Sequence, residues 1–407
     1  MKIENDISLL KKKYLFFKNS KKQLDLTRGR PSSEQLDLSG NLENILKGDF
    51  FQDKVDIRNY GLLEGLPSAR KLAGWILNSD PKNILVNGTS SLTLLGHYLQ
   101  SLIFHGDGKI PWKDLRKISF LCPVPGYDRH FSMLEKLGIK MIPVPLTGNG
   151  PDLELIKNLL ETDETIKGIL CVPKHSNPTG ETYSQEVIEE LAKIKKEDFK
   201  IIFDNAYAVH DFSKSKKLPN IEQTFIKNNS HKSLVMLGST SKISLAGSGL
   251  AFMSLSPENM SNFIDYFSKF SLGSDKVNQA RHVRIFNSKK ALSEHMNKLA
   301  KIIKPKFDLV QEKLSTLPTG LAKWTKPTGG YFISFDSLSG RASKIHKLCN
   351  EAGLKLTPLG ATFPYGKDLD DKNIRLAPTQ VELDELEDAM ELFLSLIHIS
   401  EPTRLRR

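Results

Sequence analysis

Six short apolar runs recur through the middle of this chain, each closed by a polar or turn residue. They are Ile118–Cys122, Ile139–Val144, Lys167–Val172, Lys200–Phe203, Leu234–Leu237 and Leu250–Leu255. Runs this short, rich in Ile, Leu, Val and Phe, read as strands buried on both faces. A helical pattern through Leu137 and an amphipathic one over Ser184–Lys196, opened by a Ser N-cap, lie between them. The alternation predicts an α/β fold whose large domain has a mostly parallel mixed sheet flanked by helices. Ligands of such sheets bind beyond the carboxyl ends of the strands. The residues that follow each run therefore carry the functional information.

Outside this region the pattern changes. Lys289–Leu317 reads as helical, with Pro305 expected to kink or break it. Gly330–Phe335 alternates like a half-buried strand, while Arg341–Ala352 and Gln380–Leu396 read as helices. With a helix near Ile7–Lys18, these segments predict a smaller α/β domain built from both chain ends, residues 1–49 and 291–396, beside a large domain over 50–290. Residues 397–407 break the preceding helical pattern and are expected to be a disordered or artefactual tail.

Composition excludes several classes. With 39% apolar and 26% charged residues among 407, the chain is ordinary globular protein. No apolar run is long enough to cross a bilayer, and Met1–Asp6 lacks the layout of a signal peptide. Three scattered cysteines without a CxxC pair argue against a disulfide framework or a zinc site. The expectation is a cytoplasmic, metal-free protein. The formal charge of +11 resides in lysines mixed with acids, as at Lys11–Lys13 and Lys193–Lys196, which reads as solvated helix faces rather than a nucleic-acid surface. Such a field suits anionic small molecules.

Chemistry gathers at the strand ends. Lys242 stands among hydroxyls in Gly238-Ser239-Thr240-Ser241-Lys242, just after the fifth run. A surface lysine is the bland account, which the small flanking residues disfavour. Asp204 closes the fourth run, where an acid could charge a ring nitrogen or simply end a strand. Asn177 and Tyr207 could donate to a phenolic oxygen, although Ser176–Gly180 alone is a good turn sequence. Thr89, Ser90 and Ser91 follow the strand Asn83–Val86 and open the apolar helix Leu92–Phe104, a start that suits phosphate or an ordinary cap. Ser239 and Ser241 add hydroxyls, and Tyr127 could cover an aromatic ring or sit in the core. Arg375 could clamp a carboxylate through its fork or serve a surface ion pair. An amine for an aldehyde, a carboxylate for a pyridine nitrogen, donors for a phenolic oxygen and hydroxyls for a phosphate together describe a holder for pyridoxal phosphate.

From roughly Leu24 to Leu394 the chain resembles the fold-type-I aminotransferases that use this cofactor. The quoted motifs carry the likeness: the asparagine of Asn177-Pro178-Thr179-Gly180, the Asp204–Tyr207 pair, Ser239-Thr240-Ser241-Lys242, and the late Arg375. The resemblance implies the catalytic role for Lys242 and cofactor or substrate contacts for the others. It further implies a homodimer in which Tyr60 crosses to the neighbouring subunit's phosphate, and a mobile segment at Gly29 that closes over substrate. Leu26–Ser32, Arg58–Gly65, Pro173–Gly180 and Gly238–Ile243 are similar to a bacterial subgroup of aspartate aminotransferases related to the MocR-type regulators. The implied reaction moves an amino group from an amino acid, aspartate first, to 2-oxoglutarate by a ping-pong route. An aromatic donor or a lyase reaction on the same scaffold is the alternative. A regulator's effector domain is the less favoured one, because few residues precede Leu26. Arg28, Arg30, Arg58 and Lys174 are candidates for the cation that a second substrate carboxylate needs. Leu245–Gly249 departs from the family pattern by lacking an arginine for the phosphate.

Overall fold

A computed structural model of the chain describes residues 11–12, 14–20, 22–212 and 215–400. Seven strands form the main sheet: β1 Ile84–Val86, β2 Ser119–Val124, β3 Lys140–Pro145, β4 Ile166–Cys171, β5 Lys200–Asp204, β6 Leu234–Ser239 and β7 Ala251–Leu255. Their spatial order is β1-β7-β6-β5-β4-β2-β3. β7 runs antiparallel to both its neighbours, and every other adjacent pair is parallel. This is the mixed, mostly parallel α/β sheet that the apolar runs predict.

Consecutive residues of each strand feed opposite layers. Leu121, Ile169, Cys171, Ile201, Phe203 and Met236 pack into one apolar cluster. Phe120, Cys122, Leu170, Ile202, Val235 and Leu237 pack into another. A period of two with both faces apolar is what helices on both sides require. The helices α1 Pro67–Leu77, α2 Ser91–Phe104, α3 Asp128–Lys136 and α4 Gln185–Ala192 belong to this part. Ser184 caps α4 as expected, accepting from the Val187 amide.

A third cluster holds the smaller sheet, β8 Lys323–Trp324, β9 Ile333–Asp336 and β10 Asn373–Leu376, with α5 Lys289–Ser315, α6 Ala342–Glu351 and α7 Leu383–Ser400. The N-terminal segment joins it: Leu24 pairs in parallel with Leu354, and Phe17, Leu24 and Leu26 are buried there. Leu46, Leu292, Met296 and Leu299, from segments expected in the smaller domain, share an apolar cluster with Leu121 and Ile169 of the main sheet. Of the expected first helix, the residues before Lys11 lie outside the described ones.

Two expectations about this region change. α5 runs unbroken through Pro305. That proline is exposed, so the carbonyl deprived of its donor can face water and the helix survives. The last helix continues past the expected end of order to Ser400. Ile397 is buried in the third cluster, and the Ser400 carbonyl accepts from Lys344 Nζ at 3.3 Å. Apolar contact holds those residues in place; 401–407 lie outside the described residues. Among the described residues no helix is long and apolar enough to cross a membrane.

Candidate active site

The carboxyl ends of β4, β5 and β6 and the start of α2 enclose one cavity. Ser90, Ser91, Tyr127, Asn177, Asp204, Tyr207, Ser239, Ser241 and Lys242 line it together. A second cavity shares Tyr127, Asn177, Tyr207 and Lys242, and adds Arg28, Gly29, Arg30, Arg129 and Arg375. Lys242 therefore faces both spaces.

Each side chain owes its place to local structure. Lys242 follows β6 through a turn in which Ile243 N donates to Thr240 O at 2.8 Å. Its ammonium lies 4.9 Å from the centre of the Tyr207 ring and 6.0 Å from that of Tyr331. Burial lowers its pKa, and the nearby Asp204 charge offsets only part of the effect. A lysine so placed loses its proton more readily than a surface lysine, which a nucleophilic amine needs.

Asp204 is the last residue of β5. Its Oδ2 meets His130 Nε2 at 2.9 Å, and both side chains are almost wholly buried. Oδ1 accepts from the Ala206 amide at 3.1 Å. The sequence reading did not single out His130. The signal was its position three residues after Tyr127 at the start of α3, since residues at that spacing share a helix face. The Tyr127 ring packs edge-on against His130, 4.8 Å between centroids. Burial, with Asp204 and Asp128 adding to it, pushes the Tyr127 phenol up to about 12. Burial likewise raises that of Tyr207. Both phenols stay protonated and remain donors.

Asn177 sits on a tight loop, in which Gly180 N donates to Ser176 O at 2.6 Å. Beneath the loop, Lys174 Nζ and His175 Nε2 each lie 2.8 Å from an Asp211 oxygen. Burial would raise the Asp211 carboxyl, but the bonds from His175, Lys174 and Ser215 outweigh it and hold the group well below the usual carboxylate range. Lys174 is thus committed to Asp211 and lines neither cavity, which removes it as the second substrate cation. Arg58 pairs with Asp56 at 2.7 Å on the surface and, like Tyr60, lines neither cavity of the single chain. Arg28 and Arg30 do line the second cavity, as does Arg129, which the sequence reading passed over.

Ser90 stands at the N-cap position of α2, yet its hydroxyl makes no capping bond. The first amides of that helix and the hydroxyls of Ser90, Ser91, Ser239 and Ser241 border the first cavity. This donor set fits a phosphate without an arginine from Leu245–Gly249. Thr89 is exposed and outside the lining; its carbonyl accepts from Ser241 Oγ at 3.3 Å. Tyr60 is 81% exposed and lines neither cavity of the single chain.

Arg375, on β10, is buried. Its Nε donates to Thr357 Oγ1 at 3.2 Å, and its Nη1 to Asn177 Oδ1 at 3.2 Å and Asp128 Oδ1 at 2.9 Å. Phe332 covers its plane at 4.8 Å. The same ring lies against Gly29, where a Cβ would come within 2.5 Å of Phe332 Cζ.

A sequence model of the family described as aspartate amino-transferase matches residues 3–405. The chain belongs to that family. Its members use pyridoxal phosphate, and the amine, carboxylate and hydroxyls around the first cavity fit that group. An aspartate aminotransferase of Corynebacterium glutamicum is 38% identical over 394 residues, spanning 94% of this chain and 90% of its own. The crystal structure of an aspartate transaminase from the same species superposes with a TM-score of 0.94 at 36% identity, covering 99% of this chain and 97% of that one. The relation to regulators is more distant: the transcriptional regulator NorG of Staphylococcus aureus is 23% identical over 210 residues, 51% of this chain and 46% of its own.

Proposed function

We propose that this aminotransferase moves the amino group of aspartate to 2-oxoglutarate. The observation that carries the reading is the pair of adjoining cavities that share Lys242, one bordered by hydroxyls and Asp204, the other by arginines. Pyridoxal phosphate, when bound, supplies an aldehyde that condenses with amines and a ring that draws electrons from the substrate Cα. Lys242 would hold that aldehyde through its amine and, once released, carry a proton to and from the substrate Cα. Asp204, backed by His130, would hold a proton on the ring nitrogen. Asn177 and Tyr207 would donate to the phenolic oxygen. The α2 amides with Ser90, Ser91, Ser239 and Ser241 would take the phosphate, and Tyr127 would cover the ring.

On the substrate side, Arg375 presents a planar fork suited to a carboxylate. Arg28, Arg30 and Arg129 border the same space, which favours a substrate with a second negative group. The likeness to aspartate aminotransferases of similar length supports aspartate as donor. A homodimer belongs to the same reading. Tyr60, Leu62, Phe270 and Leu272 are exposed on segments joined by the Gly61–Gly273 bridge, an apolar surface that a second copy would cover. Tyr60 would then reach the partner's phosphate.

The test is a coupled assay of purified protein, supplied with pyridoxal phosphate, aspartate and 2-oxoglutarate. Oxaloacetate should accumulate in step with glutamate. Turnover of an aromatic donor without oxaloacetate would refute the substrate, and repeated release of carbon dioxide from aspartate with no oxo acid present would point to a lyase.

A further inference from the structure

Arg375 meets the second cavity with an anion already on its fork. Asp128 Oδ1 lies 2.9 Å from Nη1, the two side chains being 28% and 5% exposed. The remaining contacts of the guanidinium are neutral. Thr357 Oγ1, itself fixed by a bond to Thr27 O at 2.8 Å, accepts from Nε; Asn177 Oδ1 accepts from Nη1; and Nη2 reaches Thr27 O only at 3.5 Å. With Phe332 over its plane, these contacts orient the fork without help from Asp128. Among the described residues its one charged partner is Asp128, which lines the second cavity itself.

We propose that Asp128 is a placeholder for substrate: its carboxylate occupies the Arg375 fork in the free site and is exchanged for that of an incoming amino or oxo acid. This rests on the reading of Arg375 as the substrate clamp. A bidentate carboxylate needs two guanidinium nitrogens, and Nη1 already carries Asp128. Two anions at one edge of the fork repel, so the second displaces the first. Displacement is not prohibitive. Asp128 is the first residue of α3, whose free amides favour an anion wherever its side chain turns. Arg28, Arg30 and Arg129 line the same cavity, have no carboxylate partner among the described residues, and can receive it. Asp128 thereby sets how tightly every carboxylate substrate binds.

The experiment titrates the cofactor-loaded protein with succinate and with acetate, following the cofactor's absorption, in wild type and Asp128→Asn. Asparagine keeps the shape and removes the charge, so both dissociation constants should fall by about fivefold, the worth of one partly exposed ion pair. An unchanged or larger constant would make Asp128 a fixed brace of Arg375 and overturn the proposal. So would a wild-type protein that binds neither acid. If Asp128→Asn does not fold, Asp128→Ser decides by the same titration. The aspartate and 2-oxoglutarate assay on wild type keeps the outcomes separate. Turnover without tightening in the variant defeats the placeholder alone, whereas absent turnover defeats the substrate assignment.

Discussion

His130 Nε2 stands 2.9 Å from Asp204 Oδ2, with both side chains shut off from solvent. Without this partner the Asp204 carboxylate would keep, among the described residues, only the Ala206 amide, on its other oxygen, to fix its orientation. His130→Phe should therefore weaken retention of the cofactor and lower kcat by about tenfold to a hundredfold, the range for a buried bond to a charged group. Dialysis followed by absorption spectroscopy, with steady-state kinetics, measures both. Wild-type retention and rate would show that Asp204 needs no support.

Lys242→Ala should lower turnover by at least about a thousandfold, because among the described residues no other amine lines the first cavity. Borohydride should no longer fix a pyridoxyl label on the peptide containing position 242. The fold should not suffer. Burial disfavours the charged lysine, so its removal relieves a cost at neutral pH, and the melting temperature should stay level or rise.

Gly29 touches the Phe332 ring that covers Arg375, and a methyl group there would lie 2.5 Å from Cζ. Gly29→Ala must push the ring or the 27–30 segment aside, at about 1–3 kcal/mol. The expected result is a raised KM for both substrates with a smaller change in kcat. A variant with unaltered KM would show that this contact does not shape the substrate cavity.

Burial holds the Glu181 carboxyl protonated up to about 7, against an ordinary value of 4.5. Between these values the folded chain keeps a proton that the unfolded chain has lost. Stability from this group therefore falls as pH rises from 4.5 to about 7, and is flat above. Glu181→Gln removes the effect while keeping an oxygen for the Gly150 amide, now bonded at 3.0 Å. Urea unfolding should find the variant more stable than wild type at pH 8, by about 1–3 kcal/mol, with the gap closing toward pH 4.5. A gap independent of pH would exclude this origin.

Much of this architecture was written in short-range pattern. Strands such as Lys200–Asp204 are legible because burial on both faces demands an unbroken apolar run, and Asp204 and Lys242 because a polar residue at the end of such a run needs a reason. Ser184 announced its helix through its own hydroxyl. What escaped depends on contacts between distant segments. His130 and Asp128 sit in an ordinary helix start; the spacing from Tyr127 places His130 on the same face, but only the fold brings it to Asp204 and Asp128 to Arg375. Lys174 looked available because the carboxylate that takes it, Asp211, lies across another loop. Pro305 misled because the penalty for a proline inside a helix depends on whether the orphaned carbonyl reaches water, which its exposure decides. Ile397–Ser400 looked irregular by composition but are ordered by neighbours from α6 and the third cluster.

The two cavities differ in when the ribosome completes their walls. Every residue around the first is made by the time Lys242 emerges, whereas the second waits for Phe332, Thr357 and Arg375. Leu24, synthesised early, finds its partner strand only when Leu354 arrives. Within the main sheet only β7 joins β1, and with it the start of α2, to β6, so even the first cavity cannot close before residues 251–255 have been added.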